Sequence, residues 1–368
     1  MNGVHGIIFA HQWHTGLKEL TEQRVPASVP FCGRYRFIDF MLSNMVNAGI
    51  TDVGVILSGN YQSLLDHIGS GKDWNLSRLH GGLKLLPPFG LYQNRAVTDF
   101  RGKMDALDNV YSYLEKIRQD YVLLADSDVI INLDLREVYE DHIRSGADVT
   151  VVCVDNKDHV EDATYFTLDK DNNIIETIFG VRDPKGVRSL EIFLLSKSLL
   201  LQSVEDAMIH DRYSFRISVL QNKQLKRRAF LWEGAASQIR TLNEYYDRSM
   251  ELLDPAKRQQ LFPVERPIYT KERNNSSTYL DPEGGCVNSI VADGCTVEGT
   301  VENSILFRGV TVGKGAVVRN CILMQDVVVG RGSDLNHIIA DKGVHIGEEI
   351  TLAATASCPM AIAKGKVI

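Results

Sequence analysis

The residues best placed to do chemistry lie between Ile7 and Thr21. A short apolar run, Val4–Ala10, reads as a strand and passes directly into His11, Gln12, Trp13 and His14, with Gly16 as the loop's glycine. A loop after a strand can close on phosphate oxygens through bare backbone N–H groups, which requires residues without a Cβ. Two imidazoles, a carboxamide and an indole stand there instead. The loop has the position of a phosphate cradle and the filling of a plug. His11 and His14 are also of metal-ligand type, given a nearby aspartate, although a loop plug accounts for them more simply. Asp126 and Asp128 follow the apolar run Tyr121–Ala125, at the end of a strand where α/β proteins hold ligands. A solvated turn is the plainer alternative for them. Arg34 and Arg36 offer two cations, either to an anion or to a salt-bridged surface. Lys226-Arg227-Arg228 reads as a solvated run, and Trp74 and Trp232 as core or interface.

Positioning these residues is the work of a scaffold with room for two cores. The chain has 368 residues, 44% hydrophobic and 24% charged, which is an ordinary globular composition. Its 40 basic and 47 acidic residues leave a net charge of −7, against a general nucleic-acid or membrane-surface role. Six cysteines are scattered without a C-x-x-C pair and read as reduced thiols. No apolar run approaches the ~18 residues of a membrane span, and no cleavable leader is evident, so a cytoplasmic location is expected.

Up to Leu253 strand-like and helix-like segments alternate, the pattern of an α/β domain with a mostly parallel, Rossmann-like sheet. Strands are expected at Val4–Ala10, Asp52–Ser58, Tyr121–Ala125 and Ala147–Asp155. Helices are expected at Phe37–Ala48, Tyr61–Ile68 and Asp105–Arg118. Thr164–Asp169 and Ile174–Phe179 are expected to pair around Asp171-Asn172-Asn173. The proline-rich, polar stretch 254–285 reads as a linker, which sets domains at 1–253 and 286–368. Beyond the linker Asn288-Ser289-Ile290, Asn303-Ser304-Ile305, Asn320-Cys321-Ile322 and Asn336-His337-Ile338 recur at spacings of 15, 17 and 16. Glycine phrases such as Val310-Thr311-Val312-Gly313 follow each unit. Short strands between glycine turns, stacking Ile and Val coil on coil, predict a left-handed parallel β-helix of hexapeptide type.

The segment Val29-Pro30-Phe31-Cys32-Gly33-Arg34-Tyr35-Arg36-Phe37-Ile38-Asp39-Phe40 carries more. With Leu42-Ser43-Asn44, Asn47-Ala48-Gly49-Ile50, Leu86-Pro87-Pro88 and Glu244-Tyr245-Tyr246, it resembles the ADP-glucose pyrophosphorylases (glucose-1-phosphate adenylyltransferases). The resemblance extends over nearly the whole chain. It implies a reaction joining glucose 1-phosphate to ATP, with pyrophosphate released and Mg²⁺ neutralising phosphate charge. Carried over residue by residue, the family's G-G-x-G-x-R-L glycines fall on His11, Gln12 and His14, and its arginine on Gly16. Its lysine falls on Pro26. Its first metal aspartate matches Asp128, and its second falls on Gln238, within Gly234-Ala235-Ala236-Ser237-Gln238-Ile239-Arg240-Thr241. Its sugar-contacting E-K-P region reads Phe179-Gly180-Val181-Arg182-Asp183-Pro184. Arg34 and Arg36 match the family's basic segment, associated with anionic effectors such as sugar bisphosphates.

Losing one preorganised electrostatic contact costs ~3–4 kcal/mol in a transition state, and several are missing here. The resemblance is therefore to the GlgD-type regulatory subunits of glycogen synthesis, which pair with a GlgC-type catalytic subunit, as a tetramer in the expected assembly. It implies no catalytic residue, no metal and no cofactor in this chain, with Mg²⁺ confined to the catalytic partner. It also leaves room for a sugar-phosphate effector. An active sugar-1-phosphate nucleotidyltransferase with a degenerate pocket is the alternative. A β-helix acyltransferase is a third reading, with only His337 and His345 on the coils as bases.

Overall fold

Val4–Phe9 is buried at every residue and forms the pivot of the N-terminal sheet. It pairs in parallel with Asp52–Ile56 on one side and Tyr121–Asp126 on the other. Helices cover both faces of these strands, so their sequences run apolar without alternation. The computed structural model of the protein describes residues 1, 3–11, 16–88, 100–155, 160, 162–181 and 185–368. In it the sheet has nine strands. Gly82–Leu86 extends it in parallel beyond Asp52–Ile56, and Val187–Ser196 joins Tyr121–Asp126 antiparallel. Val149–Asp155 packs antiparallel on Val187–Ser196 and takes Arg227–Leu231 as a parallel neighbour. Tyr165–Leu168 and Ile174–Ile178 form the expected antiparallel pair, turning through Asn172 at φ 62°.

The helix Phe37–Asn47 starts where Asp39 accepts the Arg36 backbone N–H at 2.9 Å. It ends at Gly49, whose φ of 81° suits a residue without a Cβ. The single helix expected over 105–118 is two, Lys103–Asn109 and Tyr111–Glu115. Gly102 lets the first begin early, because a Cβ there would lie 2.2 Å from the Tyr213 carbonyl oxygen. Of the basic run 226–228, Lys226 is exposed as expected, but the two arginines are not solvated. Arg227 begins an edge strand and is buried, donating to the carbonyls of Leu220 and Ile174, while Arg228 pairs with Asp141. Strand alternation, invisible in the charge pattern, turns these side chains against the protein. Among the described residues no helix is long and apolar enough to cross a membrane.

The C-terminal part winds into a left-handed parallel β-helix of three five-stranded sheets. Val297, Val312, Val329 and Ile346 stack in one wall and Val301, Val318 and Leu335 in another. Asn288, Asn303 and Asn320 hold left-handed corners at φ 45–52°, a region asparagine tolerates. The fourth corner is His337, not Asn336. Asn336 lies in a strand opposite Arg319 and accepts the Asn320 amide at 2.9 Å. The coil is thus one residue longer than the asparagine spacing suggested. The β-helix also begins earlier than residue 286. Tyr279–Leu280, inside the expected linker, and Gly285–Val287, which starts at its last residue, already pair with the next coil. The first coil is hidden in the sequence because no asparagine corner precedes it. The remainder of that linker includes a helix, Pro255–Leu261, capped by Asp254.

One face of the β-helix is packed against the N-terminal domain. Ile305, Phe307, Ile322, Met324 and Ile339 share a buried cluster with Phe31, Phe37, Phe40 and Tyr245. Tyr246 Oη lies 2.7 Å from His337 Nδ1 and donates to the Asn320 carbonyl at 2.8 Å. Arg24 Nη2 reaches both carboxylate oxygens of Asp341, at 2.8 and 2.6 Å, in full burial. Removing one member of such a pair leaves an uncompensated buried charge, whereas replacing both with apolar groups can be nearly neutral. Arg24→Ala should therefore cost ~3–5 kcal/mol by denaturant unfolding, and Arg24→Met with Asp341→Leu clearly less. Equal losses in both variants would show that the pair does not bind the domains together.

Candidate functional site

The first candidate site follows from strand register. Phe9 stands beside Asp126, and the Ser127 N–H donates to the Phe9 carbonyl at 3.2 Å. The loops after both strands therefore emerge at one edge. His11 is buried there, its Nδ1 against Ser58 Oγ and its ring edge-on to Phe100 with centroids 5.4 Å apart. Gln12 and His14 lie outside the described residues, as do Arg182, Asp183 and Pro184. Gly16 is crowded: a Cβ would fall 2.6 Å from the Arg240 carbonyl oxygen. The family's arginine has no room at that position. Pro26 opens a buried turn and, with His11, Asp128 and Arg240, lines a cavity of ≈ 10 Å³, space for about one water.

Val129–Ile131 pairs antiparallel with Ala236–Gln238, which brings Gln238 to Asp128. The Gln238 amide nitrogen lies 3.5 Å from Asp128 Oδ1, and Arg240 Nε lies 3.5 Å from Asp128 Oδ2. Asp128 and Gln238 thus meet at this edge of the sheet. Three further charges, Lys103, Glu191 and Arg240, were not singled out from the sequence. Lys103 Nζ is 2.9 Å from Asp126 Oδ2 and also contacts Glu191 Oε2, with all three side chains buried. Glu191 sits at φ 56°, where the register of its strand shifts between Ser189 and Phe193. Its N–H bonds Ser189 Oγ at 3.0 Å, and Thr164 Oγ1 donates to its carboxylate at 3.3 Å. A glutamate inside the apolar run Leu190–Leu195 was the available signal.

Burial raises the Asp126 carboxyl to about 7, with Asp128 and Glu191 adding to the rise against the pull of Lys103. Burial likewise raises Asp128, opposed chiefly by Arg240. Glu191 goes the other way, to about 2, because Lys103 and Arg216 outweigh its burial. Lys103 is held above its ordinary value, its burial outweighed by Asp126 and Glu191. A magnesium ion needs an octahedron of oxygen donors, several of them water. Here one carboxylate is engaged by an ammonium, the other faces a guanidinium, and the adjacent side chain turns an amide nitrogen inward. This set does not fit the ion. Among the described residues no group of three His, Cys, Asp or Glu is arranged to hold a metal.

The second candidate site lies in the seam between the domains. Arg34 and Arg36 line a pocket there with Lys271 and Arg273 from the connecting segment and Arg308 and Lys342 from the β-helix. Arg36 donates to the Ser63 carbonyl at 2.6 Å and is lowered to about 10, mainly by burial. Arg34 is exposed, 6.0 Å from the Tyr35 ring centre. The two arginines of the sequence motif are therefore brought together with cations from two other segments. Nothing in the local sequence announces the other four.

A nucleotidyltransferase-type sheet joined to a hexapeptide β-helix is the class of protein that this architecture defines. Residues 6–173 match the nucleotidyl transferase family, and residues 276–356 match the GlmU-like C-terminal hexapeptide family. The glycogen biosynthesis protein GlgD of Bacillus subtilis is 37% identical, covering 100% of this chain and 97% of its own length. GlgD of Geobacillus stearothermophilus is 38% identical over 86% of this chain and 83% of its own length. A glucose-1-phosphate adenylyltransferase of the same species is 34% identical over 82% of this chain and 80% of its own length. The chain belongs to the glucose-1-phosphate adenylyltransferase and GlgD family.

A carboxyl raised by the fold holds a proton that the unfolded chain has already released. Its contribution to stability is complete below the unfolded value near pH ~4 and is lost as pH climbs to about 7, where Asp126 ionises in the fold. Asp126→Asn removes that loss. Relative to the unsubstituted protein, its melting temperature should rise progressively between acidic and neutral pH; parallel profiles would contradict the assignment.

Proposed function

We propose that this chain is a regulatory, catalytically inactive subunit of ADP-glucose pyrophosphorylase in glycogen biosynthesis. It assembles with a GlgC-type catalytic subunit in a mixed tetramer in the cytoplasm and activates it. The observation that carries this reading is the placement of Arg240 and Gln238 at Asp128, which aligns with the family's first metal aspartate, with Lys103 held on the neighbouring Asp126. Transition-state stabilisation of phosphoryl chemistry requires free positive charge directed at the phosphates. Here the protein's own carboxylates take up that charge. The chain needs no cofactor of its own, and Mg²⁺ acts in the catalytic partner. The seam pocket supports binding of an anionic, sugar-phosphate-type effector through Arg34 and Arg36.

The kinship with a named glucose-1-phosphate adenylyltransferase, at 34% identity, favours a second reading, in which the chain itself makes ADP-glucose from a degenerate pocket. Of the two histidines that a β-helix acyltransferase could use, His337 is engaged by Tyr246 in the seam, which leaves the exposed His345. One experiment separates the first two readings. ADP-glucose formation is measured for this chain, for a catalytic subunit and for the co-expressed mixture. The expected result is no turnover by this chain alone and a higher rate or altered effector response in the mixture. A mixture indistinguishable from the catalytic subunit at every ratio would refute the regulatory role, and turnover by this chain alone would establish the alternative.

A further inference from the structure

The strand-end site does not fit magnesium, and the residue that fills it is Lys103. Its Nζ lies 2.9 Å from Asp126 Oδ2 and contacts Glu191 Oε2. The ring centres of Phe193 and Phe9 stand 5.2 and 5.7 Å from the same atom. Two carboxylate oxygens from different strands thus converge on one point, and that point is an ammonium. Lys103, Asp126 and Glu191 are only 8%, 3% and 4% exposed. The free space beside Asp126 and Asp128 is ≈ 10 Å³, too little for a metal ion with its waters. A trio of buried charges is a poor way to hold strands, since apolar residues of like volume do as well or better. Two features mark this one as more than packing. Glu191 reaches Lys103 from a left-handed backbone at φ 56°, a state that glycine accepts readily and glutamate does not. Asp126 Oδ1 is buried without a hydrogen-bond partner, so the carboxylates offer more than the ammonium uses.

We propose that the Lys103 ammonium is a tethered substitute for a divalent cation, and that without it Asp126 and Glu191 form a site for an oxygen-preferring ion such as Mn²⁺ or Mg²⁺. The proposal deepens the inactive reading of this pocket given above and rests on it. Lys103 opens the helix Lys103–Asn109, whose start is fixed by the Met104 N–H donating to the Tyr213 carbonyl at 3.0 Å. The charge is therefore delivered to the strand ends by the fold itself, and it neither exchanges with solvent ions nor yields to a chelator. Asp126 and Glu191 outweigh the burial of Lys103 and keep it an ammonium. Deleting that group leaves Asp126, Asp128 and Glu191 with Arg240 and Arg216 as the remaining cations, a deficit of positive charge in a dry interior. Ions of the magnesium type bind through one or two carboxylates and several waters, and the volume of the deleted side chain supplies the room.

The test uses the full chain by itself, slightly above neutral pH, where Asp126 ionises even in the unsubstituted fold. Free Mn²⁺ is followed by electron paramagnetic resonance. Lys103→Ala should take up one Mn²⁺ per chain more than the unsubstituted protein binds. Mn²⁺ should also raise the melting temperature of Lys103→Ala and leave that of the unsubstituted protein unmoved. Adding Glu191→Gln or Asp126→Asn to Lys103→Ala should lose the extra ion. Lys103→Met, which removes the charge but fills the space, should not acquire it. A Lys103→Ala chain that needs Mn²⁺ to fold supports the proposal. One that binds no extra Mn²⁺, or stays unfolded in its presence, overturns it and leaves the inactive reading standing. So does uptake that survives Glu191→Gln or is matched by Lys103→Met. Mn²⁺ bound by the unsubstituted protein and released by Asp128→Asn overturns both.

Discussion

One apolar face of the β-helix held against the Val29–Phe40 segment is the constraint on which the rest of this molecule depends. Phe31 meets Phe37, Phe40 and Tyr245 with ring centroids 5.8–6.4 Å apart, beneath Ile305, Ile322 and Ile339. Burying each such side chain contributes ~1.5–3 kcal/mol, so the seam as a whole is worth well over ten. Like charges brought to about 4 Å near a protein surface cost ~4 kcal/mol before salt and water screen them. Apolar packing therefore wins, and it holds cations from three segments together against their repulsion. The charge surplus of the pocket is a consequence of where the greasy residues go.

The strand-end site solves its charge problem in the opposite way. Asp126, Asp128 and Glu191 are buried, and taking charges out of water is expensive unless partners come with them. Lys103 and Arg240 are those partners. They add little net stability, since desolvation offsets most of their attraction. Their effect is chemical: they neutralise carboxylates that would otherwise call for a cation from solution. Glu191 pays for its place with a left-handed backbone, a strain of ~1–3 kcal/mol that the strands on both sides hold in check.

Much of this was legible in the sequence. Alternation of strand and helix segments gave the α/β sheet, because apolar runs such as Val4–Phe9 and Tyr121–Asp126 cannot be exposed. The β-helix was legible because its corners repeat a residue that accepts positive φ. What escaped reading escaped for physical reasons. Asn336 and His337 both tolerate tight turns, so the pattern alone misplaced one corner by a residue. Arg227 looks solvated in a basic run, yet strand geometry buries it. Lys103, Glu191 and Arg240 meet through three separate segments, and only the folded chain shows that an ammonium, a carboxylate and a guanidinium share one interior. The cations around Lys342 are separated by up to about 300 residues and meet for the same reason.

Placing surplus charge at a seam, and balanced charge at the strand ends, bears on how such a chain would act on a neighbour. A pocket walled by one domain reports a ligand only to that domain. This one has Arg34 and Arg36 on one wall and Arg308 and Lys342 on the other, so an anion bound within it bridges the two. Its binding energy then depends on how the β-helix sits against the sheet, and by linkage that arrangement depends on the anion. On the proposed function the β-helix is also a surface through which subunits assemble, which makes the seam the joint between effector and partner. The strand-end site, with its charges already matched, contributes nothing to that exchange except a rigid wall. On the proposed function, a subunit built this way would alter a partner's activity through geometry, with no chemistry of its own required.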